Sequence, residues 1–227
     1  MNSASPATDG LTAEICRSLV ASIQAAERLD SPFRHWLARE VFPLGLSKAL
    51  LRLPFAPVEL GGLSGKRELH NDQRHYFAGE VNAAHFQCRA VADAFQSRSV
   101  VAAIERATDA DLAGTYVRLE YAQDCDGFWL QPHTDLGVKR FTMLIYLADD
   151  AGQAELGTDI YADSRTWAKR TPFIDNSALV FVPSDNTWHG LERRPIPGVR
   201  RSVIMNYVTD AWRERGQLAY PDSPVRL

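Results

Sequence analysis

Near the start of the chain, apolar residues recur every three or four positions. Leu11, Ile15, Leu19, Ile23 and Ala26 therefore lie on one stripe of an amphipathic helix. Thr12 is available as its N-cap and Glu14 falls in its first turn. Ser31-Pro32 punctuates the pattern, and residues 47–53 form a second short helix that Pro54 and Pro57 prevent from continuing. Asn82 is positioned to cap a helix carrying Phe86, Ala90, Ala94 and Phe95, and Ser99 to cap another that runs to about Ala107. Between Pro54 and Phe77 no period is visible. The Leu60-Gly61-Gly62-Leu63-Ser64-Gly65 run and the mixed charge after it predict a long loop of the kind that often binds or covers ligands.

From Gly114 the hydrophobic period shortens to two. Strands are predicted over 115–121, 128–135, 141–147, 158–161, 178–182, 187–190 and 199–208. Turn sequences separate them: Asp124-Cys125-Asp126-Gly127, Asp149-Asp150-Ala151-Gly152, Asp175-Asn176, Pro183-Ser184-Asp185-Asn186 and Pro195-Ile196-Pro197-Gly198. A helical half followed by many short strands predicts an α+β chain whose strands close into a sandwich or barrel. With 227 residues, one domain is the simplest organisation. It would comprise a flexible lead-in (1–10), a mainly helical support that includes the loop (11–113) and a β core (114–210).

Composition narrows the function classes. Hydrophobic residues make up 45% and charged residues 23%, as in a soluble globular protein, and the longest apolar runs are strand-length, so no membrane span is expected. A net charge of −3 offers no footprint for nucleic acid. Cys16, Cys88 and Cys125 are odd in number and widely spaced, which argues against a disulfide framework or a structural zinc site and for a reducing cytoplasm. The polar first ten residues have none of the features of a secretory signal.

The candidate chemistry lies in the β half. In His133-Thr134-Asp135, at the end of a predicted strand, the two outer side chains would share a face. His189, arriving from a distant strand, would complete a set of two imidazoles and one carboxylate. Such a facial triad suits Fe(II) and leaves positions open for a chelating co-substrate and for dioxygen. Arg200 and Ser202 also share a strand face, so guanidinium and hydroxyl can reach one carboxylate, while Arg201 points the other way. Trp129 and Gln131 lie on the His133 side of their strand, and Asn206 extends the Arg200–Ser202 face.

The set His133-x-Asp135, His189 and Gly198-x-Arg200-x-Ser202 running into an apolar strand resembles the Fe(II)- and 2-oxoglutarate-dependent dioxygenases, nearest to their prolyl 4-hydroxylase-like branch. The resemblance spans about Thr115 to Val208. It implies a double-stranded β-helix (jelly roll) with the N-terminal helices packed on it, and iron held by His133, Asp135 and His189. It further implies 2-oxoglutarate and dioxygen as co-substrates, with the distal carboxylate of 2-oxoglutarate on Arg200 and Ser202. Thr142 and Tyr146 match a threonine and a tyrosine on the family's next strand, where the tyrosine often meets the same carboxylate. Arg118 and Tyr121 are candidates for lining the pocket. Because Asp135 stands where halogenating relatives have a small residue, hydroxylation of a C–H bond, or desaturation, is implied. A small metabolite is the expected substrate. The loop over 60–79, with Arg67, His70, Arg74, His75 and Tyr76, is the natural place to recognise a polar or anionic group. The alternatives are a cupin-like metal-binding barrel and a protein side-chain hydroxylase of the same superfamily.

Overall fold

Among the described residues, eleven strands pair antiparallel into two sheets, with helices against the outer face of the larger one. The computed structural model describes residues 6–135, 137–149 and 151–226. In chain order the elements are α1 (Pro6–Gln24), β1 (Glu27–Leu29), β2 (His35–Arg39), α2 (Leu46–Leu51), β3 (His75–Tyr76), α3 (Gly79–Ala84), α4 (Phe86–Gln96) and α5 (Arg98–Thr108). There follow β4 (Tyr116–Cys125), β5 (Leu130–His133), β6 (Lys139–Leu147), β7 (Asp159–Tyr161), β8 (Trp167–Arg170), β9 (Ser177–Phe181), β10 (His189–Leu191) and β11 (Val199–Val208). The large sheet runs β1-β2-β9-β6-β11-β4-β3 and the small one β5-β10-β7-β8.

Side-chain alternation along three long strands divides the interior in two. Odd-numbered residues (Val117, Leu119 and Tyr121 on β4, Phe141, Met143 and Ile145 on β6, Val203, Met205 and Tyr207 on β11) pack against the helices in one hydrophobic cluster. Even-numbered Ala122, Leu144, Tyr146 and Ile204 face the small sheet, in a second cluster with Ile160 and Leu191. Ile15, Leu19 and Ile23 are the buried stripe of α1, as their spacing predicts.

Several boundaries differ from the sequence reading. Helix α1 already includes Pro6, so Thr12 lies inside it and donates to the carbonyl of Thr8 (2.8 Å) instead of capping. Residues 1–5 of the expected lead-in lie outside the described residues, as does Asp150 of the expected turn. Asn82 sits within α3, its amide donating to the Phe77 carbonyl (2.9 Å), and the chain breaks at His85 before α4 begins. Ser97, not Ser99, caps α5 by accepting from the Val100 amide. Strands β1, β2, β3 and β8 were not anticipated. They are two to five residues long, and β2 becomes a strand by pairing with β9, far away in sequence.

Close backbone approach explains two glycines beside the inner face. A Cβ at Gly157 would come within 1.6 Å of the Thr171 carbonyl oxygen, and one at Gly190 within 2.7 Å of the Leu130 carbonyl oxygen. Backbone atoms cannot move aside as a flexible side chain would. G157A is therefore expected to lose about 1–3 kcal/mol or more of stability, measured by thermal or urea denaturation. An unchanged midpoint would show that this wall is looser than described.

Candidate functional site

Pairing of β5 with β10 places His189 directly opposite His133, with ring centroids 4.3 Å apart. In each ring Nδ1 bonds a backbone carbonyl at 3.0 Å, that of Gln131 for His133 and that of Thr187 for His189. A carbonyl only accepts, so Nδ1 carries the proton and the Nε2 lone pair is left for a metal. The two Nε2 atoms stand 3.8 and 3.9 Å from the carboxylate oxygens of Asp135. All three ligand atoms lie within 4.8 Å of one another, and no other such group is gathered among the described residues. The donor set and its converging geometry fit a first-row divalent metal such as Fe(II).

Asp135 reaches this cluster differently from the expectation. Strand β5 ends at His133, so Asp135 lies beyond it and is held by two bonds from β6. Lys139 Nζ donates to Oδ1 at 2.7 Å and Thr142 Oγ1 to Oδ2 at 3.0 Å. Burial alone would raise its pKa, but the Lys139 ammonium and the two imidazoles outweigh this and hold the carboxyl well below its usual range. Burial, reinforced by His133, brings His189 down to about 3, so the ring is neutral at physiological pH, as a ligand must be.

The triad opens into a cavity of about 720 Å³ between the sheets. Its floor is a grid set by strand register. Thr142, Asn206 and Arg118 form one rung across β6, β11 and β4. Leu144, Ile204 and Glu120 form the next, and Tyr146, Ser202 and Ala122 the third, with Arg200 beside Asp124 at the far end. Arg118, Gln131, Thr142, Arg200 and Ser202 line the cavity together with the triad. Arg200 is buried, with Nε donating to the Leu156 carbonyl (2.6 Å) and Nη1 to Asp124 (2.7 Å). Arg201 points away and pairs with Asp149.

Four candidates are placed elsewhere. Tyr121 is odd-numbered on β4 and therefore faces the helices, its hydroxyl donating to the Leu50 carbonyl (2.8 Å). Tyr146 faces inward, but its hydroxyl bonds the hydroxyls of Thr158 (2.8 Å) and Thr171 (2.7 Å). Asn206 is fully buried beneath the floor, donating to Thr142 and accepting from Arg118. Trp129 packs on Gly65, where a Cβ would meet its ring at 2.8 Å, and Arg193 Cζ lies 4.9 Å from its ring centroid.

The loop after Leu60 folds onto the site through its charges. Arg67 makes a two-point contact with Asp124 (3.0 and 3.2 Å), and Arg74 pairs with Glu120 (2.8 Å). His70 bonds the Leu63 carbonyl, and His75 stacks on Phe55. Burial pushes the Glu120 pKa upward, yet Arg118, Arg74 and Arg67 bring it down to about 2. Asp124 is likewise held below its ordinary value by Arg67 and Arg200 against burial. Sequence reading missed Glu120, Asp124 and Lys139. The available signal was three charged residues of one parity (118, 120, 124) on a strand too apolar to lie at the surface.

No protein-family profile and no curated protein sequence matches the chain. Solved structures do. A prolyl hydroxylase from Trichoplax adhaerens, in complex with a hypoxia inducible factor oxygen degradation domain peptide fragment, superposes with a TM-score of 0.57 at 13% identity, over 91% of this chain and 94% of that one. A 2OG-Fe(II) oxygenase family oxidoreductase from Burkholderia pseudomallei gives 0.53 at 15% identity, over 85% and 90%. The chain has the fold of the 2OG-Fe(II) oxygenases. HygX from Streptomyces hygroscopicus, with nickel, 2-oxoglutarate and hygromycin B bound, shares this oxygenase fold with a TM-score of 0.50 at 13% identity, over 77% and 82%.

Two predictions follow from the bonds within this oxygenase-fold cavity. Thr142 orients the carboxylate of the candidate metal cluster, so T142V should weaken Fe(II) or Co(II) affinity by about 10- to 100-fold in anaerobic titration calorimetry. Unchanged affinity would leave Thr142 without that part. Glu120 titrates near 4.5 when unfolded and about 2 when folded, so its stabilisation is complete above pH 4.5 and is lost as pH falls towards 2. E120Q should therefore be less stable at pH 7, with a flatter loss of stability between pH 4.5 and 2 in urea titrations. Equal slopes would show that the arginines do not hold this group.

Proposed function

We propose that the chain is an Fe(II)- and 2-oxoglutarate-dependent oxygenase that hydroxylates a C–H bond of a small metabolite or biosynthetic intermediate. The observation that carries this reading is the His133–Asp135–His189 cluster, with Asp135 and His189 buried and His133 half-buried, opening into the same cavity as Arg200 and Ser202. The two sheets are read as the halves of a double-stranded β-helix, with 114–210 as the catalytic core and 11–113 as its support. A reducing cytoplasm suits the three free cysteines.

Iron(II) held by the triad, with 2-oxoglutarate and dioxygen, would supply the oxidising power, releasing succinate and carbon dioxide. The chain's own residues do the rest. Gln131 and Thr187 fix the histidine tautomers, while Lys139 and Thr142 keep Asp135 ionised and aimed. Arg200 retains Nη2 for the distal carboxylate of 2-oxoglutarate, beside the Ser202 hydroxyl, and Asp124 positions the guanidinium. Leu144, Leu191 and Ile204 give that end of the cavity apolar walls that exclude water. Tyr146 positions Thr158 and underlies Arg200, whose Cζ is 5.9 Å from its ring, so it supports the co-substrate end without touching the ligand.

The cavity volume is that of a small-molecule pocket, and HygX is an instance of this fold with hygromycin B bound. The Trichoplax adhaerens neighbour, with its peptide, favours the second reading, hydroxylation of a protein side chain. Gain of one oxygen by a metabolite or by a protein, read by mass spectrometry of extracts incubated with the enzyme, separates the two. A cupin-like metal barrel would bind metal without consuming 2-oxoglutarate.

D135A should abolish succinate formation while retaining the circular dichroism spectrum of the folded chain. Wild-type turnover by that variant in metal-replete assays would sink the triad assignment. R200A should raise the apparent KM for 2-oxoglutarate by about 10- to 100-fold, as expected for loss of a charge-assisted fork, and R201A should leave it unchanged. The reverse pattern would exchange their parts.

A further inference from the structure

Resting on the oxygenase reading, we infer that the substrate carries a carboxylate that docks on Arg118, held between Tyr76 and Trp212 beside the metal cluster. Arg118 stands on the Thr142 rung, two strands from it. At a strand spacing of about 4.8 Å, its position lies roughly 10 Å from the residue that holds Asp135. A molecule of a few bonds' length anchored on Arg118 would thus lay its far end over the metal.

The guanidinium is built as a receptor. Its Cζ lies 4.9 Å from the Tyr76 ring and 4.9 Å from the Trp212 ring, a double cation–π contact that fixes its plane. Nε donates to Gln217 (2.8 Å), Nη1 to Asn206 (3.2 Å) and Nη2 to Glu120 (3.0 Å), and the Tyr76 hydroxyl is a further partner, so one of its five N–H groups is left for a ligand. Arg118 lines the cavity although it is only 6% exposed. Trp212, which also lines the cavity, has a buried indole Nε1 with no acceptor among the described residues. A buried donor of that kind calls for an acceptor, and a carboxylate between the two residues would supply it.

Charge balance points the same way. Among the described residues, Arg67, Arg74, Arg118 and Arg200 converge on two carboxylates, Glu120 and Asp124. Two positive charges are left over. The distal carboxylate of 2-oxoglutarate on Arg200 would answer one, and the remaining charge lies with the Arg118 group. At the rim Lys66 and Arg213 are matched by Glu68 and Glu214, and Lys139 is matched by Asp135.

The test uses the full chain loaded anaerobically with iron(II) and saturating 2-oxoglutarate, titrated calorimetrically with acetate, propionate, benzoate and 3-phenylpropionate, each beside its primary amide. At least one carboxylate should bind about tenfold or more tighter than its amide, a difference of 1.4 kcal/mol. R118L should abolish that preference with 2-oxoglutarate affinity changed less than about twofold, and R118K should restore part of it. W212F keeps an aromatic face for Arg118 and should weaken only the carboxylates. The proposal is overturned if no carboxylate outbinds its amide, or if the preference survives in a folded R118L. If 2-oxoglutarate itself fails to bind the iron-loaded chain, the oxygenase reading falls, and this proposal with it.

Discussion

Strand β11 pairs with β4 on one side and β6 on the other, and the register over the inner rungs is continuous on both sides. Because successive side chains on a strand point to opposite faces, that double ladder divides the inner rungs, from Phe141 to Tyr146 and their partners on β4 and β11, between the helical core and the cavity side by parity, whereas odd-numbered Lys139, beyond the register shift at Tyr207/Val208, turns to the cavity. Phe141, Met143, Val203, Met205 and Tyr207 anchor the sheet to α1, α4 and α5, while Thr142, Ser202, Arg118 and Glu120 are carried to the ligand side. A slip of one residue would exchange these sets, exposing apolar residues to the cavity and burying charges in the core. The geometry of the site therefore depends on the same apolar burial that stabilises the sheet.

The cavity floor is also an electrostatic device. Glu120 and Asp124 are nearly inaccessible, and an ionised carboxylate removed from water is tolerated only when it is paired. Each is paired more than once. Asp124 joins Arg200 on β11 to Arg67 on the loop, and Glu120 joins Arg118 on β4 to Arg74 on the same loop. The segment after Leu60 is thus fastened over the cavity by ion pairs, and its regular structure is a short 3-10 helix, Arg67–Gln73, and the two-residue strand β3. The excess of cations leaves the cavity ready for anions before any ligand arrives.

Much of the β half was legible in the sequence because its strands are long enough for a two-residue period to show. The pairing of His133 and Asp135 with His189 was legible because His-x-Asp and a downstream histidine form a recognisable ligand set. Other features left little local trace. Strand β2 is five residues whose meaning comes from β9. Tyr121 looked equivalent to Arg118 until parity put them on opposite faces, and Tyr146 looked free until Thr158 and Thr171 took its hydroxyl. Asp135 was expected to owe its position to strand alternation, but it lies past the strand end and is placed by Lys139 and Thr142.

By itself the sequence determined the helical and β halves and the shared face of Arg200 and Ser202, since these are written in local spacing, and it offered the residues of the candidate metal cluster through the resemblance of the whole set to a known family. The tertiary structure alone decided which charges meet across the cavity, that the basic loop answers buried acids instead of solvent, and that Trp212 and Gln217, far downstream, come to border Arg118. The physical reason is that periodicity records which way a side chain points relative to its own backbone. Whether it then meets a metal, a carboxylate or the packed core depends on pairings between segments distant in the chain.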